Sequence, residues 1–247
     1  LNDSVIGLKL LNSSVSGNSS PVSVRNLKVL NPLASANVTV FQTNSGVSGT
    51  NTLSVDQLEM LTPGKVLESI DDSSTGDSSI SFRNCRVDIN AALASAPFSF
   101  ASNKAYFWMN DCKVKTTGTA RPTFSFAHTG VLSGGMTIKG NIFTKNEATS
   151  VFEFTAGSTF TNFNLAGNHF VKTASSVGGH AINNSGSANI GFTDNVGSLP
   201  ASGSLGNVIC HTSSGNDFGN WAVALTGSFS LPTSVLASPL LANGACP

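Results

Sequence analysis

Short runs of alternating apolar and polar residues recur along the chain and predict an all-β protein. Val22–Val24 (VSV), Phe98–Phe100 (FSF) and Phe152–Phe154 (FEF) are examples, each close to residues that favour turns. No long stretch keeps the 3.6-residue apolar period of an amphipathic helix. We therefore expect short strands joined by loops.

A six-residue pattern repeats along the chain at nearly constant spacing. The eight copies are VRNLKV from Val24, VDQLEM from Val55, FRNCRV from Phe82, MNDCKV from Met109, IKGNIF from Ile138, LAGNHF from Leu165, FTDNVG from Phe192 and FGNWAV from Phe218. Their starts are separated by 31, 27, 27, 29, 27, 27 and 26 residues. A second apolar pattern recurs about half a period later. Two strand segments in phase with one period predict one coil of a solenoid per repeat.

The third position of this hexamer predicts a corner between two strands. It is occupied by Asn26, Gln57, Asn84, Asp111, Gly140, Gly167, Asp194 and Asn220. Seven of these eight are Asn, Asp or Gly, the residues that best tolerate a left-handed backbone. We expect the residue before each corner to point outward and the residue after it to point inward.

Stacked coils then predict ladders of side chains inside the solenoid. The fourth hexamer position would stack Leu27, Leu58, Cys85, Cys112, Asn141, Asn168, Asn195 and Trp221. The three asparagines of this ladder could share amide hydrogen bonds from coil to coil. Phe100, Phe126 and Phe154 would form an aromatic stack, followed by Ile182. We expect Cys85 and Cys112 to be reduced packing partners.

Charged residues alternate in sign in two outward columns. Position two stacks Arg25, Asp56 and Arg83, and position five stacks Lys28, Glu59 and Arg86. Neighbouring strands favour opposite charges, so both columns support the same register.

A coil of about 27 residues with an Asn-rich corner and inward Asn and Phe ladders resembles the pectate-lyase-like superfold. The resemblance covers about residues 20 to 225 and implies a right-handed parallel β-helix of about eight coils. We expect an N-terminal cap over residues 1–20, the β-helix over 21–224 and a C-terminal capping tail over 225–247.

Composition restricts the classes of partner. Ser, Thr, Asn and Gly make up 108 of 247 residues, and 13 basic residues balance 13 acidic ones. Nucleic acids and anionic membranes require clustered Lys and Arg, so we expect neither as a partner. No run of 18 apolar residues occurs, and membrane insertion is not expected.

Enzymes on the resembled fold usually cleave polysaccharides with paired acidic side chains, and no convincing pair is present. The candidates are Asp71 with Asp72, Asp88 with Asp111, Glu147 with Glu153, and Asp194. Glu153 must point outward, but its expected neighbours in the adjoining coils are Ser125 and about Ala181. The four histidines have no metal-ligand spacing. We predict no catalytic residue, no metal site and no cofactor.

Two aromatic residues are the strongest candidates for a binding site. Phe107 and Met109 share the inward face of their strand, which directs Tyr106 and Trp108 outward together. Outward aromatic rings can stack on sugars or anchor a protein partner, unless a neighbouring loop covers them.

Two functions follow as hypotheses. The first is a non-enzymatic surface protein of a virus, a bacteriophage above all: a capsid-decorating knob or a component of a tail spike or fibre. Phage spikes often resemble this solenoid and are usually trimers, which implies a homotrimer that contacts other virion proteins or a host surface glycan. The alternative is an extracellular or virion-attached polysaccharide depolymerase. Either hypothesis places the protein on the virion surface or outside the cell.

Overall fold

The structure is a computed structural model. It describes residues 5–12, 19–30, 38–45, 50–61, 64–70, 77–90, 92–101, 105–118, 121–127, 130–145, 149–155, 158–172, 182–184, 187–193, 195–198, 209–211, 223–226 and 241–243. Every regular element in these ranges is a β-strand. The prediction of an all-β chain is therefore confirmed for the described part of the protein.

The described strands form three parallel sheets, which we call A, B and C. Sheet A contains, in spatial order, β1 (Val5–Asn12), β4 (Val38–Ser45), β7 (Lys65–Ile70), β10 (Phe98–Phe100), β13 (Phe124–Phe126), β16 (Phe152–Phe154), β19 (Ile182–Asn184), β22 (Ile209–His211) and β24 (Leu241–Asn243). Sheet B contains β2 (Ser19–Arg25), β5 (Thr50–Asp56), β8 (Asp77–Arg83), β11 (Ala105–Asn110), β14 (Gly130–Lys139), β17 (Ser158–Ala166) and β20 (Ser187–Thr193). Sheet C contains β3 (Lys28–Val29), β6 (Glu59–Met60), β9 (Arg86–Ile89), β12 (Lys113–Thr116), β15 (Ile142–Lys145), β18 (His169–Lys172), β21 (Asn195–Ser198) and β23 (Val223–Thr226).

The order of the strands shows that the chain is a parallel β-solenoid. Up to β22 the chain visits sheets A, B and C in turn, and each strand up to β19 pairs with the strand three positions further along the sequence. Near the end, β21 pairs with β23 and β22 with β24. Met109, for example, lies between Phe82 and Ile138, the residues at the same hexamer position in the adjoining coils. The solenoid predicted from the repeat is therefore confirmed.

The number of coils can be compared with the number of hexamer copies. The sequence predicts about eight coils, and the described part of the chain contributes nine strands to sheet A, seven to sheet B and eight to sheet C. The last copy, from Phe218, begins outside the described residues. The boundaries expected for the two caps stay predictions.

The corners between sheets B and C have the left-handed backbone expected from the sequence. Positive φ angles between 52° and 68° occur at Asn26, Gln57, Asn84, Asp111, Gly140 and Gly167. Lys139 is exposed before its corner, and Asn141 is buried after it. The corner thus reverses the inward and outward positions, as predicted. The corners expected at Asp194 and Asn220 lie outside the described residues.

The asparagine ladder is present and is hydrogen-bonded along the axis. The Asn141 Nδ2 donates to Asn168 Oδ1 at 2.9 Å, and the Asn168 Nδ2 donates to Asn195 Oδ1 at 2.9 Å. All three side chains are buried. Each Nδ2 also donates to a main-chain carbonyl of an adjoining coil; that of Asn168 reaches Ile138 O at 2.8 Å. The ladder therefore satisfies buried amides that would otherwise lack partners.

Phenylalanines fill the space behind sheet A in two columns. Phe100, Phe126 and Phe154 stack with ring centroids 4.9 and 4.8 Å apart, which confirms the predicted stack. A second column was not singled out from the sequence: Phe98, Phe124 and Phe152 stack at 4.5 and 4.7 Å.

The predicted place of Ile182 is wrong. It pairs in register with Phe152 and not with Phe154. A shift of two residues along a strand keeps each side chain on the same face, and the alternation of apolar residues cannot reveal it.

Candidate functional site

Tyr106 and Trp108, which we call the aromatic pair, lie on the outer face of sheet B. Their ring centroids are 6.1 Å apart and the ring planes differ by 11°. The exposed fractions are 40% for Tyr106 and 36% for Trp108. The expectation that both point outward is confirmed, and neither ring is fully covered. A carbohydrate- or partner-binding role for the pair stays a prediction.

Buried neighbours on the same strand fix the direction of the aromatic pair. Phe107 and Met109 are both fully buried in the core. Because side chains alternate along a strand, these two anchors hold the intervening positions on the outer face. The local sequence AYFWMN therefore encodes the orientation of both rings.

Small polar residues surround the aromatic pair. In the preceding coil, Ser79 pairs with Tyr106 and Ser81 pairs with Trp108. In the following coil, Thr137 pairs with Trp108. Gly135, two residues before Thr137, has open space around it, because a Cβ added there would meet no atom within 4 Å. The rings thus stand above a low surface of hydroxyl groups, and the charged side chains of Arg83 and Lys139 lie two positions further along the adjoining strands. Such a surface suits a ligand with hydroxyl groups and an apolar face.

The outward charged columns have the predicted register but differ in their contacts. Lys28 Nζ lies 2.9 Å from Glu59 Oε2, in an exposed ion pair. Arg25 pairs in register with Asp56, whose Oδ1 accepts a hydrogen bond from Asn84 Nδ2 at 3.1 Å. Exposed pairs of this kind contribute little stability, about 0–1 kcal/mol each, so the columns specify register more than they stabilise it.

The candidate acidic residues are not brought together in the described part of the chain. The Asp88 Oδ2 lies 3.6 Å from Lys115 Nζ, and Asp111 occupies a corner with a left-handed backbone. Glu153 lies between Ser125 and Asn183 in adjoining coils, so the neighbour expected near Ala181 was misplaced by two residues. The other candidates, Asp71, Asp72, Glu147 and Asp194, lie outside the described residues.

Glu153 gives a testable dependence of stability on pH. Burial raises the pKa of its carboxyl group, and Arg121 partly opposes this. The folded protein then holds the proton more tightly than the unfolded chain, so the free energy of unfolding falls as pH rises through the raised pKa. We expect Glu153→Gln to be more stable than the unsubstituted protein at about pH 7 and equal to it at about pH 3.

Thermal unfolding at the two pH values measures this effect. Glu68→Gln is the matched control, because Glu68 accepts hydrogen bonds from Gln42 at 2.8 Å and Lys65 at 3.0 Å. That variant should gain no stability at neutral pH. A Glu153→Gln variant that loses stability at neutral pH would contradict the effect assigned to burial.

The predicted cysteine neighbours are free thiols. Cys85 and Cys112 are both buried, and the Cys85 backbone N–H donates to Cys112 Sγ at 3.3 Å. The Cys85 Sγ donates to Arg83 O at 3.1 Å and the Cys112 Sγ to Asn110 O at 3.3 Å. The side-chain interaction with Cys112 lowers the pKa of Cys85, and the same interaction raises the pKa of Cys112, which burial raises further. Both thiols therefore continue the ladder of inward side chains.

Other classes of site have no support in the described ranges. Within them, no group of three or more His, Cys, Asp or Glu is arranged to hold a metal ion. None of the described segments is a helix with the length and apolarity needed to cross a membrane. Comparison with family models, with curated proteins and with solved structures found no match for this chain.

Proposed function

We propose that the protein is a non-enzymatic structural component of a virus surface, of bacteriophage type. It would serve as a capsid-decorating knob or as part of a tail spike or fibre, on a particle outside the cell. The proposal includes a right-handed, pectate-lyase-like β-helix and a homotrimer that contacts other virion proteins or a host surface glycan. The exposed aromatic pair, with uncharged hydroxyl-bearing residues paired beside it, carries this proposal.

The interior supports a mechanical role. Buried amides bond from coil to coil along the axis, and phenylalanine rings stack in the same direction. Each coil is thereby tied to its neighbours by side chains in addition to the parallel strand hydrogen bonds. A rod of this construction resists unfolding and can display loops and outer faces to a partner.

The outer face of sheet B supports attachment to a glycan. Tyr106 and Trp108 offer apolar ring surface to the C–H face of a sugar, and the hydroxyls of Ser81 and Thr137 lie in the same column as Trp108. The residues paired directly with the two rings, Ser79, Ser81 and Thr137, are uncharged, so the favoured ligand at the rings is a neutral saccharide. Arg83 and Lys139 lie two positions further along the adjoining strands, where they pair with Asn110.

Removal of one ring tests this attachment. We expect Trp108→Ala to weaken binding to immobilised neutral bacterial surface polysaccharides at least about tenfold, because a buried aromatic contact contributes 1.4 kcal/mol or more. The melting temperature should stay unchanged, since Trp108 is outside the core. The matched control is Leu30→Ala, which removes another exposed apolar side chain. Equal binding by all three proteins would contradict the role of the aromatic pair.

The depolymerase hypothesis is tested with the same preparations. Incubation with each bound polysaccharide should release no hydrolysis or elimination products, and light scattering should give about three times the 25.3 kDa chain mass. Release of oligosaccharides would overturn the non-enzymatic proposal. A monomeric mass would overturn the trimer.

A further inference from the structure

The outer face of sheet C contains a shallow depression that the proposed function does not use. It spans three neighbouring strands, β9, β12 and β15, and has a volume of about 490 Å³. Its outward side chains are Arg86 and Asp88 from β9, Lys113 and Lys115 from β12, and Ile142 and Thr144 from β15. Basic, hydroxyl and apolar groups therefore meet in one concave surface.

The alternation of charge in this column breaks at the depression. Lys28 and Glu59 form an ion pair in the first two coils, but Arg86 is followed in register by Lys113. Like charges directly opposite each other on neighbouring strands are destabilising. Of the residues that the structure describes, none forms an ion pair with Arg86 or Lys113, whereas Lys115 lies 3.6 Å from Asp88. The lining of the depression thus carries three cationic side chains and one carboxylate, and Glu59 adjoins Arg86 in register from the preceding coil.

We propose that this depression binds an oxyanion, a phosphate or sulfate group, carried on a small hydroxylated body such as a sugar. The Arg86 guanidinium can donate two parallel hydrogen bonds to such a group, and the Lys113 ammonium adds a second positive charge. Thr144 offers a hydroxyl group and Ile142 an apolar surface to the body that carries the anion. Binding of the anion would also relieve the repulsion between the two cations.

The oxyanion site is independent of the aromatic pair. The depression lies on sheet C and the aromatic pair on sheet B, on the other side of the corners. A substitution at one site should leave the other ligand bound. Failure of the oxyanion site and failure of neutral-glycan attachment are therefore separate results.

Chromatography of the full chain on matched matrices is the first test. At low salt and neutral pH we expect retention on phosphocellulose, on sulfated cellulose or on both, and none on unmodified cellulose. Arg86→Gln with Lys113→Gln should abolish retention. The control variant, Arg83→Gln with Lys139→Gln, removes the same charge from exposed positions on sheet B and should be retained like the unsubstituted protein. The matrix that retains the protein identifies the anion.

Two further measurements separate a site from a general charge effect. In titrations with glucose 6-phosphate and glucose 6-sulfate, the dissociation constant of the variant Arg86→Gln with Lys113→Gln should be at least about tenfold larger than that of the control variant. Lys113→Glu should lose binding while its melting temperature equals or exceeds that of the unsubstituted protein, because it restores the alternation of charge. Equal elution of both double variants, or no retention of the unsubstituted protein on either charged matrix, would overturn the proposal.

Discussion

Asn168→Leu is expected to lower the free energy of unfolding by about 4 kcal/mol. The Asn168 Oδ1 accepts from the backbone and side-chain amides of Asn141 at 3.0 and 2.9 Å. Its Nδ2 donates to Asn195 Oδ1 at 2.9 Å and to Ile138 O at 2.8 Å. Leucine fits the volume but forms none of these bonds, and each buried group left without a partner costs about 1–3 kcal/mol.

Urea unfolding of Asn168→Leu and of Asn164→Leu measures this effect. Asn164 is exposed on sheet B, so the same change there should alter stability by no more than about 0.5 kcal/mol. The double variant Asn141→Leu with Asn168→Leu should lose less than the sum of the single changes, because it removes both partners of the bonds between them. A loss below about 1 kcal/mol for Asn168→Leu would refute the role of the ladder.

Phe124→Ala is expected to cost about as much, 3–5 kcal/mol, for a different reason. Phe124 is fully buried and stacks between Phe98 and Phe152 at 4.5 and 4.7 Å. The ring centroids of Phe107 and Phe143 lie 6.2 and 5.7 Å from that of Phe124, both in T-shaped arrangements. Truncation leaves a cavity in the centre of the column that rigid neighbouring strands cannot close.

The control for Phe124→Ala is its outward neighbour. Ser125→Ala should change the free energy of unfolding by no more than about 0.5 kcal/mol in the same urea experiment. Comparable losses for the two variants would show that the inward and outward positions of β13 are not those of the solenoid.

Much of the fold could be predicted from the sequence because the solenoid repeats one coil. The left-handed corner and the asparagine ladder each follow from a hexamer position seen several times, and the outward direction of Trp108 follows from the alternation around Phe107 and Met109. The place of Ile182 did not follow, because the loops differ in length from coil to coil. Spacing then leaves a two-residue uncertainty in register that preserves the inward and outward faces.

The surface sites also combine features that follow from the sequence with features that do not. The juxtaposition of Arg86 and Lys113 is implied by their 27-residue spacing, yet the depression around them also depends on Ile142 and Thr144. The shape of an outer face is set by the relative sizes of side chains across several coils. No single hexamer contains that information, and the depression was therefore missed.

Pulsed electron paramagnetic resonance measures the distance between two spin labels and so can test how the coils stack. Labels would be attached in pairs to cysteines introduced at Ser23, Thr137 and Asn164, which belong to one outward column of sheet B. Of the four native cysteines, Cys85 and Cys112 are buried and would be kept, and Cys210 and Cys246 would be replaced by serine. Parallel strands are about 4.8 Å apart, so labels at Ser23 and Asn164, five strands apart, should lie about 24 Å from each other. Labels at Ser23 and Thr137 should lie about 19 Å apart. Separations that do not increase by one strand spacing per coil would contradict the solenoid and the placement of both sites.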